Sequence, residues 1–198
     1  MLIKNEKPFK VIGYGESTLT QETLLFGKSF VHDDIEVISP QEFKNIKAKD
    51  EFQYFIGFGL DLKERRQIVE LLEDQDCVTY VHDSALIFPN VKIGKGSCVA
   101  NFSSVMQNAV IGDHVFIETY CLVSHNSTIG TNSILHSGTM IAGKTTVGEN
   151  CMFNFKAAAI NNITICNNTT VGAFSNVTKN IERPGIYVGS PARFLREV

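Results

Sequence analysis

From Ile87 to Val177 an apolar side chain stands at every sixth position: Ile87, Ile93, Val99, Val105, Ile111, Ile117, Val123, Ile129, Leu135, Ile141, Val147, Phe153, Ala159, Ile165, Val171 and Val177. Two residues before each stands a small or modest side chain, among them Ala85, Ser97, Ser103, Ala109, Cys121, Ser127, Thr139, Cys151 and Ser175. One aliphatic and one small inward residue per repeat suit a narrow triangular interior, so the pattern predicts a prism-like parallel β-solenoid. A second period is nested in the first: Gly94, Gly112, Gly130 and Gly148 recur every eighteen residues. Eighteen residues then make one coil of three short faces, with about five coils in all. Stacked glycines at one corner predict a tight turn with positive φ.

The first 82 residues lack this rhythm. Residues 10–12 form a short apolar run entering the glycine turn of Gly13 and Gly15, and residues 18–27 read as helical. A second apolar run, residues 54–58, includes Gly57 and leads into residues 60–73, whose spacing and Lys/Glu/Arg content predict an amphipathic helix. Strand, helix, strand, helix predicts a small parallel sheet. Loops at the strand ends of such a sheet form a ligand crevice, which makes Gly13, Gly15 and Gly57 candidates for binding. Asp33 and Asp34 fall near the end of the next strand, where carboxylates can accept hydrogen bonds from a base or ribose. The expected division is a small α/β domain over 1–82, a solenoid over 83–181 and a C-terminal tail over 182–198.

At 198 residues with a net charge of −3, the chain offers no basic footprint for nucleic acid. It has no apolar run long enough to span a membrane and no apolar signal core near Met1, which predicts a protein that stays in the cytoplasm. Five scattered cysteines, two of them (Cys121 and Cys151) at inward positions, predict reduced core thiols rather than a disulfide framework.

The candidate catalytic group is His125, in a turn between hexads, where a neutral imidazole can remove a proton from an attacking amine or hydroxyl. His136 is a second candidate. His114, His125 and His136 are evenly spaced by eleven, but eleven is not commensurate with eighteen, so the three cannot converge on a metal within one chain. No metal is expected.

Together these residues resemble the hexapeptide-repeat acetyltransferases, and within them the bacterial nucleotide-sugar acetyltransferases of the PglD and NeuD type. The resemblance spans nearly the whole chain: a small nucleotide-binding-like domain, Val81-His82-Asp83-Ser84-Ala85 opening the solenoid, the hexads, and the ending Gly189-Ser190-Pro191-Ala192-Arg193. It implies a left-handed parallel β-helix preceded by a Rossmann-like domain. It also implies a homotrimer with active sites between adjacent solenoids, acetyl-CoA as co-substrate and a nucleotide-linked sugar as acceptor. His125 stands where the family has its general base, and Asn126 stands where an Asp or Glu usually orients that base. Gly143 matches the glycine whose N–H meets the thioester oxygen. His136, Gly143, Ala173, Pro191 and Arg193 are the residues implied to line the coenzyme path. Gly13, Gly15, Asp33, Asp34 and Gly57 are those implied toward the sugar nucleotide.

Three departures stand out. A family histidine nine residues past the base is Ile134 here, with His136 displaced by two. The N-terminal Gly-x-x-Gly-His motif reads Gly13-Tyr14-Gly15-Glu16-Ser17, without the histidine. Asn126 brings no charge. The expected activity is acetylation of the amino group of a nucleotide-linked amino deoxysugar for a bacterial surface glycan. O-acetylation, a non-catalytic ligand-binding solenoid and a carbonic-anhydrase-like metalloenzyme stand as alternatives.

Overall fold

The computed structural model describes residues 9–12, 36–47, 49–56 and 62–197. Gly13, Gly15, Asp33, Asp34, Gly57 and the expected helix over 18–27 lie outside them. In the N-terminal part, β1 (Phe9–Ile12) is the centre of a parallel three-stranded sheet, flanked by β2 (Glu36–Ile38) and β3 (Gln53–Ile56). A short helix, α1 (Pro40–Asn45), follows β2 and was not expected. Its signal is nevertheless in the sequence as a capping box: Ser39 Oγ accepts from the Glu42 N–H at 3.2 Å, and the Ser39 N–H donates to Glu42 Oε2 at 2.7 Å. The expected amphipathic helix is α2 (Leu62–Leu71).

The second part is a parallel β-solenoid whose two-residue strands stack into three sheets. The first face runs through Tyr80–Val81, Cys98–Val99, Phe116–Ile117, Ile134–Leu135, Met152–Phe153 and Thr169–Val171. The second runs through Leu86–Ile87, Ser104–Val105, Leu122–Val123, Met140–Ile141, Ala158–Ala159 and Asn176–Val177. The third runs through Lys92–Ile93, Val110–Ile111, Thr128–Ile129, Thr146–Val147 and Thr164–Ile165. The six-residue series from Val99 to Val177 forms one buried column, with Phe153 fully enclosed. Gly185–Val188 extends the first face in parallel, and Arg193–Arg196 folds back on it antiparallel, so the tail continues the sheet.

The corners correct the expectation about glycine. Positive φ recurs every six residues, at Asn90, Gly96, Phe102, Asn108 and onward to Phe174, whereas Gly94, Gly112, Gly130 and Gly148 do not have it. Asparagine holds many of these left-handed positions, as its short polar side chain allows. The four stacked glycines instead answer close approach between coils. A Cβ on Gly130 would sit 2.5 Å from Gly148 C, and one on Gly112 would sit 2.8 Å from Thr131 N.

The inward hydroxyls are also more than small. Ser97, Ser103, Ser127 and Ser133 each donate to a carbonyl of the next coil, at 2.6–3.0 Å, and each accepts an N–H from that coil. A buried hydroxyl is thus satisfied on both sides. Cys121 and Cys151 occupy the same positions with their Sγ atoms near the carbonyls of His136 and Cys166, and burial pushes both thiols up to about 12. All five cysteines are free.

The first face is covered by the N-terminal part: Phe55 and Val78 pack with Tyr80, Cys98, Phe116 and Ile134. At the adjoining corner Arg65 of α2 is buried, donating to the His114 carbonyl at 2.8 Å and to Asn132 Oδ1 at 3.3 Å. Arg66 reaches Asn150 and Asn168 in the next coils. The left-handed asparagines of one corner therefore serve as the docking ladder for α2.

His114 lies beneath this contact, 2 % exposed, and its Nδ1 has no hydrogen-bond partner among the described residues. Burial, with the Arg65 guanidinium close by, lowers its pKa to about 4. The unfolded chain therefore binds this proton first, so the stability His114 contributes is present above about pH 6.5 and is lost as pH falls toward 4. The expected loss is about 3 kcal/mol by pH 4. His114→Asn, which suits the left-handed backbone, is expected to flatten that part of a urea-midpoint profile. An unchanged slope between pH 6.5 and 4 would count against this account.

Candidate active site

The three corners separate the candidate residues. His125, Asn126 and Gly143 lie on the corner between the second and third faces. His136 and Ala173 lie on the corner between the first and second. Pro191 and Arg193 are exposed in the tail. His114 takes the third corner, so the three evenly spaced histidines do diverge, and no cluster of metal-ligating side chains occurs among the described residues.

His125 is half-buried, and its Nδ1 lies 3.0 Å from Asn126 Oδ1. An amide oxygen there selects the Nδ1–H tautomer and leaves Nε2 with its lone pair. Asn126 is also a left-handed corner residue, with φ of 60°, which gives a backbone reason for asparagine at this position. The coil above is held in register by Ser127, whose Oγ donates to the Ala142 carbonyl at 2.9 Å and accepts from the Thr145 N–H at 3.3 Å. The Lys144 N–H donates to the His125 carbonyl at 2.9 Å.

Gly143 then comes directly over the imidazole. A Cβ there would lie 2.7 Å from Nε2 and 2.8 Å from Cε1. The glycine is required by this approach and not by a positive φ. Its N–H forms no hydrogen bond among the described residues. The corner therefore combines an oriented base with a nearby unengaged donor, the pairing needed for attack on a carbonyl. Gly143→Ala is expected to displace the ring and to lower kcat by about 10²-fold, with little change in thermal midpoint. A variant with wild-type kcat would show that the ring position is unimportant.

Around His136 is a cluster that the sequence reading missed. His136 Nδ1 lies 2.8 Å from Glu118 Oε1. Glu118 Oε2 accepts from both the N–H and the Oγ of Ser137 at 2.8 Å. Burial works to raise the Glu118 pKa, but these hydrogen bonds and the neighbouring imidazole hold it below the usual carboxylate value. Phe155, 52 % exposed, lies with its ring centroid 5.1 Å from that of His136. The only sequence signal was a Glu and a His eighteen residues apart, hence one directly above the other. Ile134, at the family's histidine position, is buried under the N-terminal sheet.

The bacterial transferase hexapeptide family, six repeats, matches residues 108–143. No curated protein matches the chain by sequence. Among solved structures, the acetyltransferase domain of PglB from Neisseria gonorrhoeae FA1090 is 22 % identical, with a TM-score of 0.82 over 96 % of this chain and 100 % of that one. PerB from Caulobacter crescentus, described in complex with CoA and GDP-perosamine, is 22 % identical, with a TM-score of 0.78 over 95 % and 97 % of the two chains. WeeI from Acinetobacter baumannii AYE is 21 % identical, with a TM-score of 0.76 over 96 % and 100 %. Residues 108–143 thus carry the bacterial transferase hexapeptide, and the chain over nearly its whole length has the fold of these proteins.

Proposed function

We propose that the protein transfers an acetyl group from acetyl-CoA to the amino group of a nucleotide-linked amino deoxysugar, in the cytoplasm, for a bacterial surface glycan. The observation that carries this reading is the His125–Asn126–Gly143 corner, with Nε2 of an oriented imidazole beneath a glycine whose N–H is unengaged. The amine attacks the thioester carbonyl, forming the C–N bond, while His125 Nε2 takes the amine proton and the Gly143 N–H receives the oxyanion. The C–S bond then breaks and the proton passes from His125 to the leaving thiolate. Holding both reactants in one cleft supplies much of the rate. Likeness in fold to PerB, described with CoA and a GDP-linked sugar, supports the substrate class.

The same reading takes the solenoid as left-handed and residues 1–82 as a Rossmann-like unit that receives the sugar nucleotide through Gly13, Gly15, Asp33, Asp34 and Gly57. Residues 83–181 then form the transferase solenoid. Ala173, together with Pro191 and Arg193 of the 182–198 tail, follows the coenzyme. It also takes the protein as a homotrimer. The three faces differ in a way that supports this. The first is covered by the chain's own N-terminal part, and the third presents Lys92 and Val110 beside Thr128, Thr146 and Thr164. The second is the more apolar, presenting Leu86, Leu122, Met140 and Ala158 beside Ser104 and Asn176, with Met140 55 % exposed. A flat apolar face of short strands fits a second copy of itself better than it fits water.

The test is thiol release from acetyl-CoA with a panel of UDP-, dTDP- and GDP-linked amino sugars beside their hydroxyl counterparts. Release only with amino sugars supports N-acetylation, and release only with hydroxyl sugars replaces it with O-acetylation. No release with any acceptor would sink acetyl transfer.

A further inference from the structure

The Glu118–His136 pair is on the wrong corner to serve His125 of its own chain. The two corners are separated by one full face, six residues of chain, or on the order of 15–20 Å. Height along the solenoid is a different matter. Phe116–Ile117 pairs with Ile134–Leu135, and Leu122–Val123 pairs with Met140–Ile141, so Glu118 and His125 share one coil while His136 and Gly143 share the next. A threefold axis parallel to the solenoid keeps every residue at the same height in all copies. If the apolar second face turns toward that axis, the corner bearing His125 and Gly143 in one copy meets the corner bearing Glu118 and His136 in the next.

Resting on the acetyl-transfer reading and its trimer, we propose that the Glu118–His136 pair completes the site of the neighbouring copy as the receptor for the acceptor's amino group. An amino sugar arrives largely as an ammonium ion and must shed one proton before its nitrogen can attack. With Nδ1 held by the carboxylate, His136 offers Nε2 as an acceptor, and Glu118 stabilises the imidazolium that forms. The first proton goes to His136 Nε2 and on to solvent. The second, lost as the C–N bond forms, goes to His125 of the other copy and then to the thiolate.

Glu118 sets a carboxylate against the His136 ring, where an ammonium can be received. The Lys156 ammonium of the same corner is 5.6 Å from the Phe174 ring centroid. Phe155 screens the pair on one side. A hydroxyl acceptor brings no such extra proton, so the pair discriminates amine from hydroxyl. Glu118 acts through His136 and is a positioning residue.

Two experiments test this, one of them independent of activity. Tyr120→Cys and Asn126→Cys put a thiol on each of the two corners in the coil of His125. The double variant, treated with a short bismaleimide, is expected to give covalent dimers and trimers on a denaturing gel. Each single variant, whose native thiols are mostly buried, is not. A double variant that gives no ladder overturns the facing of the corners.

The second experiment is complementation. His125→Ala and His136→Ala, each inactive alone, are co-expressed with different tags and purified as mixed trimers. In each mixed trimer one of the three interfaces brings two intact corners together, so activity of about a third of wild type is expected. No recovery, with the wild type active, overturns the proposal. A wild type inactive with every acceptor sinks the acetyl-transfer reading instead, and this proposal's chemistry with it. Glu118→Gln is expected to raise KM for the amino sugar at least tenfold while leaving KM for acetyl-CoA within twofold. Equal shifts in both would assign Glu118 a merely structural role.

Discussion

On the acetyl transfer proposed above, His125→Ala is expected to lower kcat with the amino sugar by about 10²–10⁴-fold while leaving the fold intact. Nothing in the solenoid core depends on the ring, which sits half-buried on a corner between Ser124 and Asn126. The loss comes from the proton that must leave the amine as it attacks. Asn126 orients the ring from 3.0 Å but brings no charge to set against an imidazolium. Asn126→Asp keeps a residue tolerated at φ of 60° and adds that charge, so it is expected to retain activity where His125→Ala does not. The comparison is made by steady-state thiol release at saturating acetyl-CoA. An alanine variant within threefold of wild type would remove His125 from the chemistry.

Phe153→Ala should cost about 3–5 kcal/mol of stability, the largest loss expected from any single inward position. Phe153 is fully buried, stacked between Leu135 below and Val171 above in the first-face ladder. The prism is closed by backbone hydrogen bonds on all three faces and cannot collapse to fill the space left by a ring. Because each coil touches only its neighbours, the weakness should spread upward to the tail strand, Gly185–Val188, before it reaches the His125 coil. Thermal unfolding followed by circular dichroism should show a midpoint lowered by roughly 10 °C. Hydrogen exchange should rise first in residues above Met152. A loss under about 1 kcal/mol would mean that the interior adapts, contrary to the packing seen here.

Asn126 and Gly143 show how far apart reading a residue and explaining it can be. Both were picked out by resemblance to a family motif, and both have reasons in the coil geometry that the motif does not state. Asparagine recurs at the left-handed corners, at 90, 108, 126, 132, 150, 162 and 168. That series is fainter than the aliphatic one, since Gly, Phe, His, Tyr and Lys hold the other left-handed corners. The glycine series was read, and given the wrong cause: Gly94, Gly112, Gly130 and Gly148 are small because the next coil presses on them, not because the backbone turns through positive φ there.

The sequence by itself determined the solenoid, because a six-residue side-chain period can bury its apolar column only by coiling in three short faces. It also determined the corner position of His125 and the stacking of Gly143 above it, since eighteen residues return the chain to the same corner. The tertiary structure alone decided which outward face is covered, since Phe55 and Val78 come from a distant part of the chain to cover Cys98, Phe116 and Ile134. It alone joined Arg65 to the corner of His114 and Asn132. It alone aimed the Glu118 carboxylate at His136 Nδ1, a contact that the eighteen-residue spacing permits but does not require. Period fixes what repeats along one coil. The spacing also places residues of successive coils over one another, but how their side chains turn, and which parts of the sheet meet the solenoid, depend on distances in space that the order of residues does not carry.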